Sequence, residues 1–107
     1  MNENCVKITS DNFDGIIASN DVVMVDFWAS WCGPCKMLGP VVEDVANDYV
    51  GKAVVGKVNV DDCPDLAERF GIMTIPAVFV FKAGKVVDKM IGFRQKAQLA
   101  AALDKNL

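Results

Sequence analysis

The 107-residue sequence contains no histidine. This absence excludes the Ser-His-Asp and Cys-His catalytic arrangements and every zinc site that uses a histidine ligand. Any proton transfer must therefore use a carboxylate, a lysine, a thiol or water. The four cysteines are also too few for a fold built mainly from disulfides.

Long apolar runs and strong charge are missing as well. No run approaches the roughly 18 residues of a membrane-spanning helix, and the N-terminus lacks the pattern of a secretory signal peptide. The net charge of -3 suits neither nucleic acid nor an anionic membrane. We therefore expect a cytoplasmic protein with no nucleic-acid or membrane partner, folded as a single domain over residues 1–107.

Hydrophobic periodicity predicts alternating strands and helices. The predicted strands are residues 6–9, 22–28, 53–60, 77–82 and 85–91. The order β-α-β-α-β-α-β-β-α indicates an α/β fold, with a central mixed sheet of about five strands and four helices on both faces.

The four predicted helices have distinct signals. The first is capped by Ser10 or Asp11, and the third runs from Pro64 to a stop at Gly71. The second has Pro34 in its first turn and a kink at Pro40. Its apolar stripe contains residues 37, 38, 41, 42, 45, 46 and 49, with residues 36, 43, 44, 47 and 48 on the polar face. The fourth carries a stripe at residues 99, 100, 103 and 107.

Two cysteines stand two residues apart at the start of the second helix, in Trp31-Cys32-Gly33-Pro34-Cys35. Unpaired N–H groups and the helix dipole stabilise a thiolate at the first position. We therefore expect Cys32 to be the exposed nucleophile, with a pKa below the usual thiol value, and Cys35 to be more buried. A zinc half-site and an inert pair are the alternatives, but zinc usually needs a second close ligand pair.

Residues 25–37 closely resemble the active-site stretch of the thioredoxin family. Further similar segments are residues 70–72, 75–76, 79–85 and 91–92, so the resemblance spans nearly the whole chain. It implies the thioredoxin fold and the reduction of protein disulfides. It also implies a redox-active Cys32–Cys35 disulfide without cofactor or metal, and as partners a thioredoxin reductase and disulfide-bearing proteins. We expect a monomer.

Asp26 lies within an apolar strand, where burial raises the pKa of a carboxyl group. Both this position and the resemblance indicate a proton acceptor for Cys35, directly or through a water; a solvent-facing strand end is the alternative. The resemblance further implies that Lys57 approaches Asp26, so that each charge offsets the burial of the other. A solvated edge lysine is the alternative for Lys57.

The resemblance places a cis proline at Pro76, next to the cysteine pair; a trans proline at a strand entry is the alternative. The backbone of Ile75 would then pair with an extended substrate. The predicted apolar substrate rim consists of Trp31, Gly33, Pro34, Ile75, Pro76, Gly92 and Phe93. Trp28 fits equally well a core residue or a support behind the site, whereas Met37 and Leu38 are expected in the core.

Four residues depart from the family pattern or lie outside its motifs. Gly39 would soften the second helix, and Ala77 would change substrate contacts slightly. Cys63, at a helix start, is either an acidic thiol open to oxidation or a tolerated small residue. Cys5 is expected only to begin a strand.

The predicted function is therefore that of a general protein-disulfide reductase, with Cys32 attacking, Cys35 resolving, and Asp26 and Lys57 assisting. One alternative is a binding or chaperone subunit of the same fold whose thiols are incidental. The other is a disulfide oxidase or isomerase. Pro34 between the cysteines and the absence of a histidine there favour a reductant.

Overall fold

The computed structural model describes residues 3–107. The elements in this range are β1 (Cys5–Lys7), α1 (Phe13–Ser19), β2 (Val22–Trp28), α2 (Gly33–Asp48), β3 (Val54–Asn59), α3 (Pro64–Arg69), β4 (Ala77–Lys82), β5 (Lys85–Ile91) and α4 (Lys96–Asp104). Their order confirms the predicted α/β fold class. Within the described range, no helix is long and apolar enough to cross a membrane.

The strands form one five-stranded mixed sheet in the order β1-β3-β2-β4-β5. β1, β3 and β2 run parallel, whereas β4 is antiparallel to both β2 and β5. The central strand β2 is buried on both faces up to Phe27, as its run of valines predicts.

Helices cover both faces of the sheet. On one face α2 and α4 pack through Leu38, Val42, Leu99 and Leu103. On the other face α1 and α3 pack against a cluster of phenylalanine rings from residues 13, 27, 70, 79 and 81.

Side-chain alternation along the strands determines what lies under α2. Met24 of β2 and Val55 of β3 both join the core on the α2 face. Because side chains two residues apart point to the same face, Asp26 and Lys57 also point toward α2. The parallel register pairs these two residues directly. The fold thus places a carboxylate and an ammonium-bearing side chain side by side beneath the helix that begins with the cysteine pair.

The predicted boundaries are confirmed for β2, β4 and β5, but the start of α1 is wrong. The N-cap is Asn12, not Ser10 or Asp11. Its side chain does not cap the helix; it accepts from the Thr9 N–H at 2.7 Å and donates to the Lys7 carbonyl at 3.0 Å. Asn12 thus stabilises the turn that follows β1. The strand β1 ends at Lys7 and not at residue 9.

Two hydrophobic residues expected on buried helical stripes are exposed. Met37 is 65% exposed beside the fully buried Leu38, because the buried stripe of α2 passes through residues 35, 38, 42, 45 and 46. Leu107 lies beyond the end of α4 and is exposed. α2 continues through Pro40 as one element, and the kink there stays a prediction.

Candidate active site

The two cysteines of the motif form a disulfide at the junction between β2 and α2. Cys32 is the N-cap of α2, and its Sγ accepts a hydrogen bond from the Cys35 N–H at 3.3 Å. The Cα atoms lie 5.3 Å apart, within the usual range for a disulfide. Pro34 occupies the first turn, where its missing N–H leaves no hydrogen bond unmade.

The expected difference in exposure between the two cysteines is wrong for this oxidised form. Cys32 is 5% exposed and Cys35 is 4% exposed. The two cysteines form a small buried cluster with Ala29, and Trp28, Val60 and Ile75 pack against this cluster. The cysteines instead differ in what they face. Cys32 Sγ lies 3.7 Å from the Ile75 carbonyl oxygen, whereas Cys35 lines a cleft that leads to Asp26.

Trp28 is half-buried against the disulfide cluster. It also lines the cleft beside Asp26 and Cys35. Of its two sequence interpretations, this position fits the support residue behind the site.

The Ile75–Pro76 peptide bond is cis, which confirms the expected geometry and excludes the trans alternative. The Pro76 carbonyl accepts a hydrogen bond from the Gly92 N–H at 2.8 Å. Gly92 is therefore a neighbour of Pro76, and Ile75 lies beside Cys32. The positive φ of 89° at Gly92 favours glycine at this turn.

Several of the predicted rim residues are exposed to solvent. Trp31 is 69% exposed and Phe93 is 40% exposed, and Gly33 and Pro34 are exposed too. The indole Nε1 of Trp31 donates a hydrogen bond to Asp61 Oδ2 at 2.9 Å, which holds the ring in place. Asp61 was missed because it lies thirty residues away in sequence.

Two further exposed methionines lie close in sequence to the site. Met37 follows Cys35 by two residues, and Met73 precedes Ile75 by two. Large exposed apolar side chains near a reactive group are typical of a binding surface. The exposure of Met37 was missed because this residue fits the predicted apolar stripe of the helix. The sequence around Met73 gave no indication that this residue belongs to a surface near the site.

Asp26 is a buried carboxylate at the centre of the sheet, so the solvent-facing alternative is wrong. Asp26 is only 1% exposed, and within residues 3–107 neither oxygen of its carboxylate has a hydrogen-bond partner. Burial raises the pKa of Asp26 to about 7, and the nearby positive charge of Lys57 only partly opposes this. Such a group can take up and release a proton near neutral pH.

Lys57 is 8% exposed, which excludes the solvated edge lysine. It is the cross-strand neighbour of Asp26, as expected, but its ammonium does not hydrogen-bond to Asp26. Lys57 Nζ binds Glu43 Oε2 of α2 at 2.7 Å. The expected compensation between Asp26 and Lys57 is therefore only partial: the charge of Lys57 acts on Asp26, but its ion pair is made with Glu43 of the helix.

Glu43 was assigned to the polar face of α2, and its site role was missed. Its side chain is only 25% exposed. A signal was present, because residues 35, 39 and 43 recur every four positions and therefore share one side of the helix. Glu43 thus lies on the same side of α2 as Cys35, the side that faces the sheet.

The cleft between α2 and the sheet has a volume of about 300 Å³. It is lined by Asp26, Trp28, Cys35, Lys36, Gly39, Pro40, Glu43 and Lys57. A water occupies about 30 Å³ in the liquid, so the cleft has room for several. The cleft is open to solvent and is lined by both Asp26 and Cys35.

The residues that depart from the family pattern or lie outside its motifs have distinct positions. A Cβ atom at Gly39 would lie 3.3 Å from Lys57 Nζ, so this glycine leaves room for the ammonium. Cys5 begins β1, as expected, and burial raises its pKa to about 11. Cys63 is a buried thiol at the N-cap of α3, not disulfide-bonded. Its oxidation, and an effect of Ala77 on substrate contacts, stay predictions.

A thioredoxin family model matches residues 4–105. The thioredoxin of Staphylococcus haemolyticus is 54% identical over 102 residues, covering 95% of this chain and 97% of the relative. Those of Staphylococcus aureus strain Mu50 and Chlorobaculum thiosulfatiphilum are 51% and 50% identical, with at least 94% of each chain covered.

The chain belongs to the thioredoxin family. It is a protein-disulfide oxidoreductase that performs dithiol–disulfide exchange with the Cys32–Cys35 pair. As in other thioredoxins, the redox group is its own active-site disulfide. Within residues 3–107, no cluster of three or more His, Cys, Asp or Glu could hold a metal ion. Membership implies partners of two kinds, disulfide-bearing proteins and a reductase. The binding-subunit and oxidase alternatives are not favoured.

The raised pKa of Asp26 predicts a pH-dependent gain in stability when its charge is removed. The pKa is about 7 in the folded protein against 3.8 ordinarily, so the folded state binds more protons between these values. The free energy of unfolding therefore falls as pH rises from 4 to 7, and the full penalty is present above pH 7.

The free energy of unfolding that oxidised Asp26→Asn gains over the wild type should depend on pH. This gain should be larger at pH 8 than at pH 4 by on the order of 3 kcal/mol. Guanidinium denaturation at the two pH values measures this difference, and the constant cost of burying an amide cancels. An equal pH-dependent gain in Asp11→Asn, which changes an exposed carboxylate, would contradict burial as the cause.

Proposed function

We propose that this protein is a general reductant of protein disulfides, in which Cys32 attacks, Cys35 resolves and Asp26 accepts the proton of Cys35. The observation that carries the proposal is the different surroundings of the two sulfurs. Cys32 Sγ accepts the Cys35 N–H at the start of α2 and lies beside Ile75. Cys35 lines the cleft that contains Asp26.

In the first step, the reduced Cys32 thiolate attacks one sulfur of the target disulfide. A bond forms between Cys32 Sγ and that sulfur, the target S–S bond breaks, and the other target sulfur leaves as a thiolate. The helix N-terminus and the Cys35 N–H stabilise the attacking thiolate. This interaction favours Cys32 over Cys35 as the nucleophile.

In the second step, Cys35 gives up its proton and attacks Cys32 Sγ. The mixed disulfide breaks, and the target sulfur that was bound to Cys32 leaves with the electron pair of that bond. The target has gained two electrons and the cysteine pair has lost two. Asp26 accepts the Cys35 proton through water in the cleft, because its pKa of about 7 suits proton uptake at neutral pH. The positive charge of Lys57, beside Asp26, influences how readily this base ionises.

The target segment docks on the apolar rim around the disulfide. Its backbone pairs with Ile75 in an extended conformation next to the cis Pro76. Contacts with apolar surface are largely independent of sequence, which suits a general reductant. The rim consists of Trp31, Gly33, Pro34, Ile75, Pro76, Gly92 and Phe93.

The protein acts as one domain over residues 1–107 and as a monomer, a proposal supported by the cover that its own helices give both faces of the sheet. A thioredoxin reductase returns the oxidised pair to the dithiol. The cytoplasm, where thiols are kept reduced, is the compartment in which this recycling is expected. The buried Cys63, which is not in a disulfide, is compatible with such a compartment.

Trapping tests the assignment of the two cysteines. The Cys35→Ser variant should accumulate a mixed disulfide between Cys32 and a disulfide-bearing target, because the resolving thiol is missing. Cys32→Ser should accumulate none, and turnover should fall to background in both. Non-reducing electrophoresis with mass spectrometry measures the adduct. Trapping by Cys32→Ser but not by Cys35→Ser would reverse the roles.

Single-turnover kinetics tests the proton acceptor. At saturating target disulfide, resolution by Asp26→Asn should be about tenfold to a hundredfold slower near pH 7, because general base catalysis by a positioned side chain contributes at least this much. The rate is followed by stopped-flow fluorescence from pH 5 to 9. Asp11→Asn, which changes an exposed carboxylate, is the control. Equal rates for Asp26→Asn and wild type would eliminate this role.

A further inference from the structure

The position of the Lys57 ammonium is decided by α2. Lys57 and Asp26 are paired in the register of neighbouring strands and point to the same face, so an ion pair between them is within reach. Yet Lys57 Nζ lies 2.7 Å from Glu43 Oε2, and neither oxygen of Asp26 has a hydrogen-bond partner within residues 3–107. The ammonium is therefore held on the helix side, and Asp26 feels its charge without receiving a hydrogen bond from it.

The helix also provides the space for this arrangement. Gly39 lies one turn before Glu43 on the same side of α2, and a Cβ atom there would stand 3.3 Å from Lys57 Nζ. Few Cβ atoms approach a neighbour so closely, so an alanine at this position would require the ammonium to move by a few tenths of an ångström. Gly39 and Glu43 thus act together, one by leaving room and the other by binding.

Few other charges face Asp26. From α2 these are the Cys35 thiol, once reduced, and the cleft residues Lys36 and Glu43; from β3 it is Lys57. The Cys5 thiol of β1 interacts with the same group of charges. On β4, the register partner is the apolar Val78. Lys36 is exposed to solvent, which leaves Lys57 as the buried cation whose position matters most to Asp26.

We propose that Glu43 is a positioning residue that holds the Lys57 ammonium on the α2 side of the cleft and so preserves Asp26 as an effective base toward Cys35. The proposal rests on the proposed role of Asp26 in the second step. Glu43 contacts neither the substrate nor the reacting sulfurs; it acts through Lys57.

Removal of the Glu43 charge allows the Lys57 ammonium to approach Asp26. A buried ammonium without its counter-ion is costly, and Asp26 is its cross-strand neighbour. The charge of Lys57 already lowers the pKa of Asp26 from its present position. A closer ammonium stabilises the Asp26 carboxylate further, lowers its pKa and weakens it as a base.

The test is the pH profile of the resolution step, measured by single-turnover stopped-flow from pH 5 to 9. In wild type the rate should rise with a midpoint near pH 7, where Asp26 loses its proton. In Glu43→Gln the midpoint should move down by about one pH unit or more, as expected when a cation pairs with a carboxylate. A merely structural role would change the rate or the stability but would leave the midpoint in place.

Four further variants make the outcome specific. Glu43→Asp, which keeps the charge, should restore most of the wild-type midpoint, and Asp44→Asn, which removes an exposed charge from the same helix, should not move it. Gly39→Ala, which displaces Lys57 Nζ by only a few tenths of an ångström, should shift the midpoint in the same direction but by less than Glu43→Gln. In a Lys57→Met background, Glu43→Gln should produce a much smaller shift, because the two residues are coupled.

Asp26→Asn separates failure of this inference from failure of the proposed function. If Asp26→Asn leaves the pH profile of wild type unchanged, the proton-acceptor role fails and the inference fails with it. If Asp26→Asn removes the rise near pH 7 but Glu43→Gln keeps the wild-type midpoint, the inference alone is overturned. An equal shift by Glu43→Gln with and without Lys57 would also overturn it, since Glu43 would then act directly.

Discussion

The arrangement of the active site depends on one costly feature, the burial of the Asp26 carboxylate near Cys35 without a hydrogen bond from any residue in the described range 3–107. A charge in such a place costs free energy and would not persist in a sheet selected for stability alone. The cost is limited because the group can remain protonated until the pH approaches 7. The same environment that destabilises the charged form makes the group a base for proton transfer at neutral pH.

The fold supplies this environment through simple geometry. β2 is the central strand, so both of its faces are covered, and alternation turns Asp26 toward α2. The same helix begins at Cys32, where its N-terminal N–H groups can stabilise a thiolate. One helix therefore contributes to both ends of the reaction. Its first turn supports the attacking sulfur, and its third turn brings Glu43 to the cation next to the base.

Much of this could be predicted from the sequence because periodicity is a local property. The apolar run of β2 and the hairpin of β4 and β5 are clear patterns, and their boundaries were predicted. The N-cap at Asn12 was missed because its side chain hydrogen-bonds to the preceding turn and does not cap the helix. Ser10 and Asp11, which are common capping residues, were favoured instead. Met37 was misplaced because a one-residue shift on a helix turns a side chain by about 100°.

The site was less predictable, because it depends on long side chains that meet across elements. The family resemblance implied that Lys57 approaches Asp26, but it did not indicate that the ammonium binds Glu43 instead. That choice depends on the distance between α2 and the sheet and on the space left at Gly39. The burial of Cys32 was missed for a similar reason, since Ile75 and Val60, from distant parts of the chain, pack against the cluster that contains it.

The most direct test of this account is the titration of the Asp26 carboxyl group itself. Carbon-13 NMR of selectively labelled aspartate in the oxidised protein, with Asp26→Asn used to assign the resonance, reports its protonation between pH 3 and 10. The account predicts a midpoint at about 7. A midpoint close to 4, the ordinary value for an aspartate, would contradict it, because Asp26 would then be fully charged at neutral pH and too weak a base to deprotonate Cys35.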